Sequence, residues 1–239
     1  MEKGILTGCN AEQEWMLKWW WENYSKHNNY PVTFCDFGMT PSAKKWCSKR
    51  GKILPFDPQS LPLTQNSAPW SGKLSKSALN RRSLWFSKPL ILSKTPYAKT
   101  IWTDLDCEIL KDLAPLFDMT ESKDGFAIAY DSDENTKHAR QNQTLKGGVK
   151  VLQAGVLAFK KASPVIPAWI DYCLKNLESE ASDQTALSHL QAESPFDITI
   201  LSNKYNWLNP EAPSPHAVIY HHNGTSRKRK LFSEIRFDG

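Results

Sequence analysis

Short apolar runs alternate with amphipathic stretches along the first hundred residues. Gly4-Ile5-Leu6-Thr7-Gly8-Cys9 is a buried-strand run that ends in small residues and Asn10. From Glu12 to Lys26, the spacing of Trp15, Trp19 and Trp20 marks one face of a helix, with Asn10 placed to cap it. Pro31–Asp36 predicts a second strand, and Pro41–Cys47 a helix with proline in its first turn. Lys52–Pro55 predicts a third strand. Residues 57–76 carry prolines at 58, 62 and 69 and predict a long loop. Leu79–Ser93 reads as a helix with Trp85 and Phe86 inward. Pro89 predicts a break there, or a new helix capped by Ser87. Lys99–Leu105 predicts a buried strand and Leu113–Phe117 a turn. Gly125–Tyr130 and Ala154–Phe159 predict strands, with 131–152 a polar loop between them. Pro164–Leu177 predicts a helix capped by Ser163, and Asp183–Leu190 a short helix begun by Ser182 or Asp183. Ile198–Leu201 and Ala217–His221 close the series as strands. This rhythm is that of an α/β chain with a parallel sheet. Neither an internal repeat nor a linker divides it, so one domain over 1–239 is expected.

The chemistry concentrates at Asp104-Leu105-Asp106. In extended chain the two carboxylates face the same way. Like charges side by side need a cation between them, and a divalent metal supplies one. A D-x-D alone is also what an acidic strand end looks like. A second one, Asp131-Ser132-Asp133, follows the next strand.

Hydrophobic residues make up 40% and charged residues 23%, which excludes a disordered chain. The net charge of +5 sits largely in Arg227-Lys228-Arg229-Lys230, a local patch able to meet phosphates, anionic lipid or nucleic acid. Five scattered cysteines without a C-x-x-C pair argue against zinc ribbons and thioredoxin chemistry and suit a reducing cytosol. The N-terminal residues lack a signal-peptide pattern, and no apolar run nears the roughly 20 residues of a membrane span. The glycosylation triplets at Asn23, Asn142 and Asn223 therefore read as chance. The chain has neither a P-loop nor a dinucleotide fingerprint.

Ligands of open parallel sheets gather at the carboxyl ends of the strands. The loops there carry Thr7–Asn10, Asp36, Asp104–Asp106 and His221–Gly224. Two carboxylates and an imidazole suit Mn²⁺ or Mg²⁺ better than zinc. Gly224 and the basic run beside it offer backbone N–H groups and cations to a diphosphate.

In this order, the pieces resemble the GT-A-fold glycosyltransferases, specifically glycosyltransferase family 8, which includes bacterial lipopolysaccharide sugar transferases and glycogenin. Thr103–Leu110 resembles the family's metal-binding D-x-D strand, and Leu113–Phe117 the segment after it. Gln153-Ala154-Gly155-Val156 is similar to its N-[AS]-G-V strand, Asp183-Gln184 to its D-Q helix start, and His221-His222-Asn223-Gly224 to its H-x-x-G. The resemblance covers roughly residues 4–230. Gln153 departs from the usual Asn, and Thr185 stands where many members carry a further Asp. The basic-Pro-Trp ending is absent, with Arg227 at the place of its diphosphate-binding lysine and Lys228 following it.

The resemblance implies a single GT-A domain with a mixed, mostly parallel sheet flanked by helices, and a basic segment over 225–239. It implies metal-dependent transfer of a sugar from a nucleotide-diphosphate donor, UDP-linked, with retention, to a carbohydrate, lipid-linked or protein acceptor. Asp104, Asp106 and His221 would hold Mn²⁺ or Mg²⁺. Thr7, Cys9, Asp36, Lys88, Asp104, Gly224, Arg227 and Lys228 would bind the donor, and Gln153 and Asp183 would face the reacting sugar. Asp131 and Asp133 read as a solvated turn or acceptor-side loop, and His222 as structural. The expected location is cytoplasmic, with the basic segment meeting the inner face of a membrane and no nucleic-acid partner. Sugar choice would rest on the loops at 57–76 and 131–152. Two alternatives use the same features: a nucleotidyltransferase, and a non-enzymatic module whose basic segment binds nucleic acid or membrane.

Overall fold

The structure is a computed structural model that describes residues 2–61, 63, 68–209 and 211–237. The chain begins with strand β1 (Lys3–Cys9) and enters helix α1 (Leu17–His27) through a 3-10 turn at Glu14–Met16. Gln13 precedes that turn, so Asn10 does not cap the helix. Strand β2 (Val32–Asp36), helix α2 (Pro41–Ser48) and strand β3 (Lys52–Pro55) follow. The Thr40 hydroxyl accepts from the Ala43 N–H, with Pro41 in the first turn. The expected loop over 57–76 lies partly outside the described residues. Its described part holds two 3-10 turns before helix α3 (Lys76–Asn80).

Helix α4 (Arg82–Leu92) runs through Pro89 without a break. The proline removes one helical donor, and burial of Phe86, Pro89, Ile91 and Leu92 outweighs that loss. Strand β4 (Lys99–Thr103) leads through a tight turn into strand β5 (Cys107–Ile109). Helix α5 (Ala114–Asp118) replaces the expected turn. After strand β6 (Phe126–Tyr130), helix α6 (Asp133–Gln141) occupies much of the expected loop. Ser132 caps it by accepting from the Asn135 N–H. Strand β7 (Leu152–Lys160), helices α7 (Val165–Lys175) and α8 (Asp183–Glu193), and strands β8 (Thr199–Leu201) and β9 (Ile219–His221) follow. The basic segment forms helix α9 (Thr225–Phe237).

Among the described residues, seven strands form one sheet in the order β3-β2-β1-β4-β7-β6-β8. Strands β1, β2, β3 and β4 are mutually parallel, β6 pairs parallel with β8, and β7 runs antiparallel to both its neighbours. The sheet is therefore mixed and mostly parallel, as expected. Both faces are buried, which is why its strands read as continuous apolar runs. Ile5, Phe34 and Ile101 meet Trp20 of α1 on one face. Leu6, Trp102 and Ile128 meet Phe86 and Trp169 on the other. Trp20 and Trp169 are fully buried, and losing either side chain would cost about 3–5 kcal/mol. Each also has a polar anchor: the Trp20 indole donates to Thr103 Oγ1 (3.2 Å), and that of Trp169 to the Asp183 carbonyl (2.8 Å). Both anchors end beside the acidic loop after β4 or the start of α8.

The last predicted strand does not join the main sheet. Strand β9 pairs antiparallel with β5, placing His221 opposite Cys107. This small ladder ties residues 107–109 to residues 219–221. No helix among the described residues is long and apolar enough to cross a membrane.

Candidate active site

Asp104 and Asp106 do not sit in extended chain. The Cys107 N–H bonds to the Asp104 carbonyl (3.1 Å), closing a turn between β4 and β5. The two carboxylates nevertheless border the same clefts. The turn is locked from two sides. Asp104 N–H donates to the Gly155 carbonyl (2.8 Å), and His222 N–H to the Asp106 carbonyl (2.9 Å).

Opposite the turn, β7 bulges. The β6–β7 register shifts between Ile128, which faces Leu157, and Ala129, which faces Gln153. A bulge releases backbone polar groups from the ladder, and each must find another partner. Here the partners are site residues. Lys88 Nζ donates to the Ala154 carbonyl (3.0 Å), and Ala154 N–H to Gln184 Oε1 (3.1 Å). Gly155 N–H donates to Gln153 Oε1 (2.6 Å). The bulge thus fixes Lys88, Gln153 and Gln184 while bringing Gly155 beneath His221.

The Gly155 N–H also sets the orientation of His221. It identifies the Gln153 atom it meets as the oxygen, so the Asn206 group 3.3 Å from that atom must be its NH₂. Asn206 then turns its Oδ1 to His221 Nδ1 at 2.9 Å, which makes Nδ1 the protonated nitrogen. In the neutral imidazole, Nε2 carries its lone pair toward Asp106 Oδ1, 3.3 Å away. Two acceptors facing each other in a buried site require a shared cation, either a proton on Nε2 or a metal ion. Nδ1 held by a neighbouring carbonyl is also the usual support of a metal-binding imidazole. The pair therefore fits a divalent ion.

Lysines hold both carboxylates. Lys88 Nζ lies 3.0 Å from Asp104 Oδ1, which also accepts from the Trp102 indole at 2.7 Å. Lys228 Nζ lies 2.8 Å from Asp106 Oδ2. Burial favours the neutral form of Asp106, but Lys228 and His221 outweigh it and hold its carboxyl well below the usual range. Burial likewise disfavours the Lys88 ammonium, yet Asp104, Asp183 and Asp106 hold its pKa above the ordinary value. Asp183 shows the opposite balance. Burial pushes its carboxyl up to about 6, partly offset by Lys88, and its Oδ2 has no hydrogen-bond partner.

Among the described residues, the ligand atoms of Asp106, Cys107 and His221 converge to within 4.8 Å of one another. Asp104 is absent from that group because its carboxylate turns toward Lys88 and Trp102. The Cys107 thiol contacts the Gly155 carbonyl (3.8 Å), and burial raises its pKa well above the usual value, so it belongs to the core.

A cavity of about 330 Å³ brings together Gln153, Asp183, Gln184 and Thr185 with Asp104 and Asp106. A second, of about 570 Å³, lies at the carboxyl ends of β1–β3, bordered by Asn10, Phe37, Phe56 and Asn80. A narrow cleft lined by Gly8, Phe37, Leu84, Lys88, Asp104 and Lys228 shares walls with both.

Several expected donor contacts are placed otherwise. Thr7 and Cys9 are wholly buried in β1, because strand alternation turns them into the core beside Ile5. Gly8 and Asn10 reach the clefts instead, and Asn10 Oδ1 has no hydrogen-bond partner. Asp36 borders the larger cavity. One of its oxygens accepts from the N–H groups of Gly38 (2.9 Å) and Met39 (2.7 Å), and the other meets Lys44 Nζ (2.7 Å). It therefore shapes the loop. Gly224 is exposed with φ +90°, a backbone shape glycine adopts readily. Arg227 turns away to Glu211 (3.1 Å) and Asn223 (3.0 Å). His222 pairs with Glu108 (3.1 Å) against Trp19.

Asp131 is a clamp, not a solvated turn. It accepts from Ser132 N–H (2.8 Å), Asn135 Nδ2 (2.7 Å) and Gln184 Nε2 (3.0 Å). Asn206, which orients His221, is not among the expected site residues, and nothing in its local sequence marks it; Gly155 lies within the Gln153–Val156 motif but without a role of its own.

No protein-family model matches the sequence, and no curated protein matches it. Solved structures do. The chain is similar to the apo form of mouse xyloside xylosyltransferase 1, with TM-score 0.59 and 13% identity over 92% of this chain and 97% of that one. It is similar to the galactosyltransferase LgtC in complex with donor and acceptor sugar analogues, with TM-score 0.62 and 12% identity over 97% and 94%. It is also similar to the glycosyltransferase GlyE of Streptococcus pneumoniae TIGR4, with TM-score 0.64 and 15% identity over 98% of this chain and 60% of that one. At 12–15% identity these likenesses show the fold: the chain has the GT-A fold of these glycosyltransferases.

Proposed function

We propose that this chain transfers a sugar from a nucleotide-diphosphate donor, a UDP-sugar, to a hydroxyl-bearing acceptor, with retention of configuration and with a divalent cation. The observation that carries this reading is His221 Nε2 set 3.3 Å from Asp106 Oδ1, with Nδ1 held by Asn206, beside two lysines at the carboxyl edge of a GT-A sheet. Asp106 and His221 would hold Mn²⁺ or Mg²⁺, with Asp104 as the third ligand. When bound, the ion supplies Lewis-acid stabilisation of charge on the departing nucleoside diphosphate. Lys88 and Lys228 border the same cleft and add fixed positive charge where that negative charge grows.

The base has a place in the cavity at β1–β3. The unpartnered Asn10 Oδ1 suits the imide N–H of uracil. The sugar has a place in the cavity with Gln153 and Asp183. The unpartnered Asp183 Oδ2 suits a sugar hydroxyl, and the Gln153 NH₂ group remains available as a donor. Every invoked group then lies along one connected path from base to sugar.

Thermal-shift screening of nucleotide sugars with and without Mn²⁺ tests this reading. A UDP-sugar should stabilise the chain in a Mn²⁺-dependent way that UTP and CTP do not reproduce. Asp104→Asn combined with Asp106→Asn should abolish the shift, whereas Asp131→Asn should keep it. Stabilisation by nucleoside triphosphates alone would favour a nucleotidyltransferase. Silence from every nucleotide would remove both enzyme readings.

A further inference from the structure

The lysines on the two acidic side chains come from opposite parts of the chain, and they are held very differently. Lys88 is built in. Its ammonium bonds to Asp104 and to the Ala154 carbonyl, lies 5.3 Å from the centre of the Trp102 ring, and its side chain is 12% exposed. Lys228 reaches Asp106 from the first half of α9, and its side chain is 26% exposed. Its helix follows exposed Gly224, around which space is open, and is anchored beyond Lys228 by buried Leu231. The long lysine side chain can swing away from Asp106 without moving the main sheet.

Asp106 has two oxygens and two suitors. Oδ1 faces His221 Nε2, where a divalent ion fits, while Oδ2 faces the Lys228 ammonium at 2.8 Å. A dication bound to Asp106 and an ammonium on the same buried carboxylate repel each other at close range in a low dielectric. The ion therefore weakens the hold of Lys228 on Asp106. The nearest new partner for a displaced ammonium is an anion in the cleft that Lys228 already borders, which is where the diphosphate would lie.

Resting on the metal-dependent reading above, we propose that Lys228 is an exchangeable internal cation. It holds Asp106 in the free chain, gives way to the divalent ion, and is taken up by the donor's diphosphate. The ion and the nucleoside diphosphate therefore tighten each other's binding through one side chain. By linkage the two enhancements are equal.

Mn²⁺ binding, followed by the electron paramagnetic resonance of free Mn²⁺ with and without UDP, tests this without any turnover. Wild type should bind Mn²⁺ weakly alone and more tightly with UDP. Against a protein-free UDP control, Lys228→Met should bind Mn²⁺ alone about tenfold more tightly, the scale of one charge-assisted contact, and should show a correspondingly smaller UDP enhancement. Lys228→Arg, which keeps the charge, should stay close to wild type. Circular dichroism checks that each variant is folded. Equal Mn²⁺ affinity in wild type and Lys228→Met, with binding still abolished by Asp106→Asn, would overturn the exchange and leave the metal site standing. Absence of Mn²⁺ binding from every variant, with or without UDP, would overturn the metal reading and the exchange together.

Discussion

Gly155→Ala probes the centre of the site with a single methyl group. A Cβ at this position would stand 2.2 Å from His221 Cε1, 2.9 Å from His221 Nδ1 and 2.9 Å from Gln153 Oε1. All three are below the closest approach that real Cβ atoms show, so something must move. The imidazole has little freedom to yield. Its backbone is paired to Cys107 across the β5–β9 ladder, its N–H bonds to the Trp207 carbonyl (2.9 Å), and its ring is tied to Asn206. Gln153 is held by the Gly155 N–H itself. Overpacking of this kind costs about 1–3 kcal/mol. For a chain of this size each kcal/mol lowers Tm by about 2–4 °C, so the expected fall is roughly 2–12 °C. The ring should also tip away from Asp106, so Mn²⁺ affinity should drop along with Tm. Differential scanning calorimetry and Mn²⁺ titration of the same sample read both effects. An unchanged Tm with unchanged Mn²⁺ binding would refute the idea that the bulge and His221 form one locked unit.

Asp183→Asn should change the pH dependence of stability. A carboxyl raised to about 6 from its ordinary 3.8 binds its proton more tightly in the folded chain, so its ionisation opposes folding increasingly from about pH 4 to 6. The variant should therefore gain on wild type by up to about 3 kcal/mol at pH 7 and little at pH 4 in urea unfolding; a gap independent of pH would contradict this. Lys88→Met should cost about 1–3 kcal/mol, because it strands Asp104 and the Ala154 carbonyl together. Adding Asp104→Asn should restore part of that loss, and strict additivity in the double-mutant cycle would show that the two side chains are not coupled.

The main sheet was legible because its strands are buried on both faces, so Ile5-Leu6, Phe34-Cys35 and Phe126–Ala129 stand out as unbroken apolar runs. Helix α6 was hidden because Asp133–Gln141 is polar nearly all round. Thr136 is its buried residue, and the Ser132 cap is the one local signal for it. The basic run was legible as a charged patch but not as a helix, although α9 buries Leu231 and directs Lys228 inward. The D-x-D was found by composition, but its conformation was not: the carboxylates meet through a turn, which no alternation pattern encodes. The pairing of Cys107 with His221 and the relay from Gly155 through Gln153 and Asn206 are properties of the tertiary structure. Residue types alone could name Asp106 and His221 as candidates, but not the amide that orients one toward the other.

The β5–β9 ladder also bears on how the chain acquires its site during synthesis. Every strand of the seven-stranded sheet is complete by Leu201, whereas the ladder spans residues 107 and 221 and Lys228 comes later still. Contacts of such long sequence separation close late, after the entropy of a large loop has been overcome. A nascent chain emerging N-terminus first would thus have its whole sheet before any cation site. A product interrupted before residue 219 would keep all seven strands yet lack His221 and Lys228, the two side chains that hold Asp106. Such a fragment would have the sheet but not the candidate cation site.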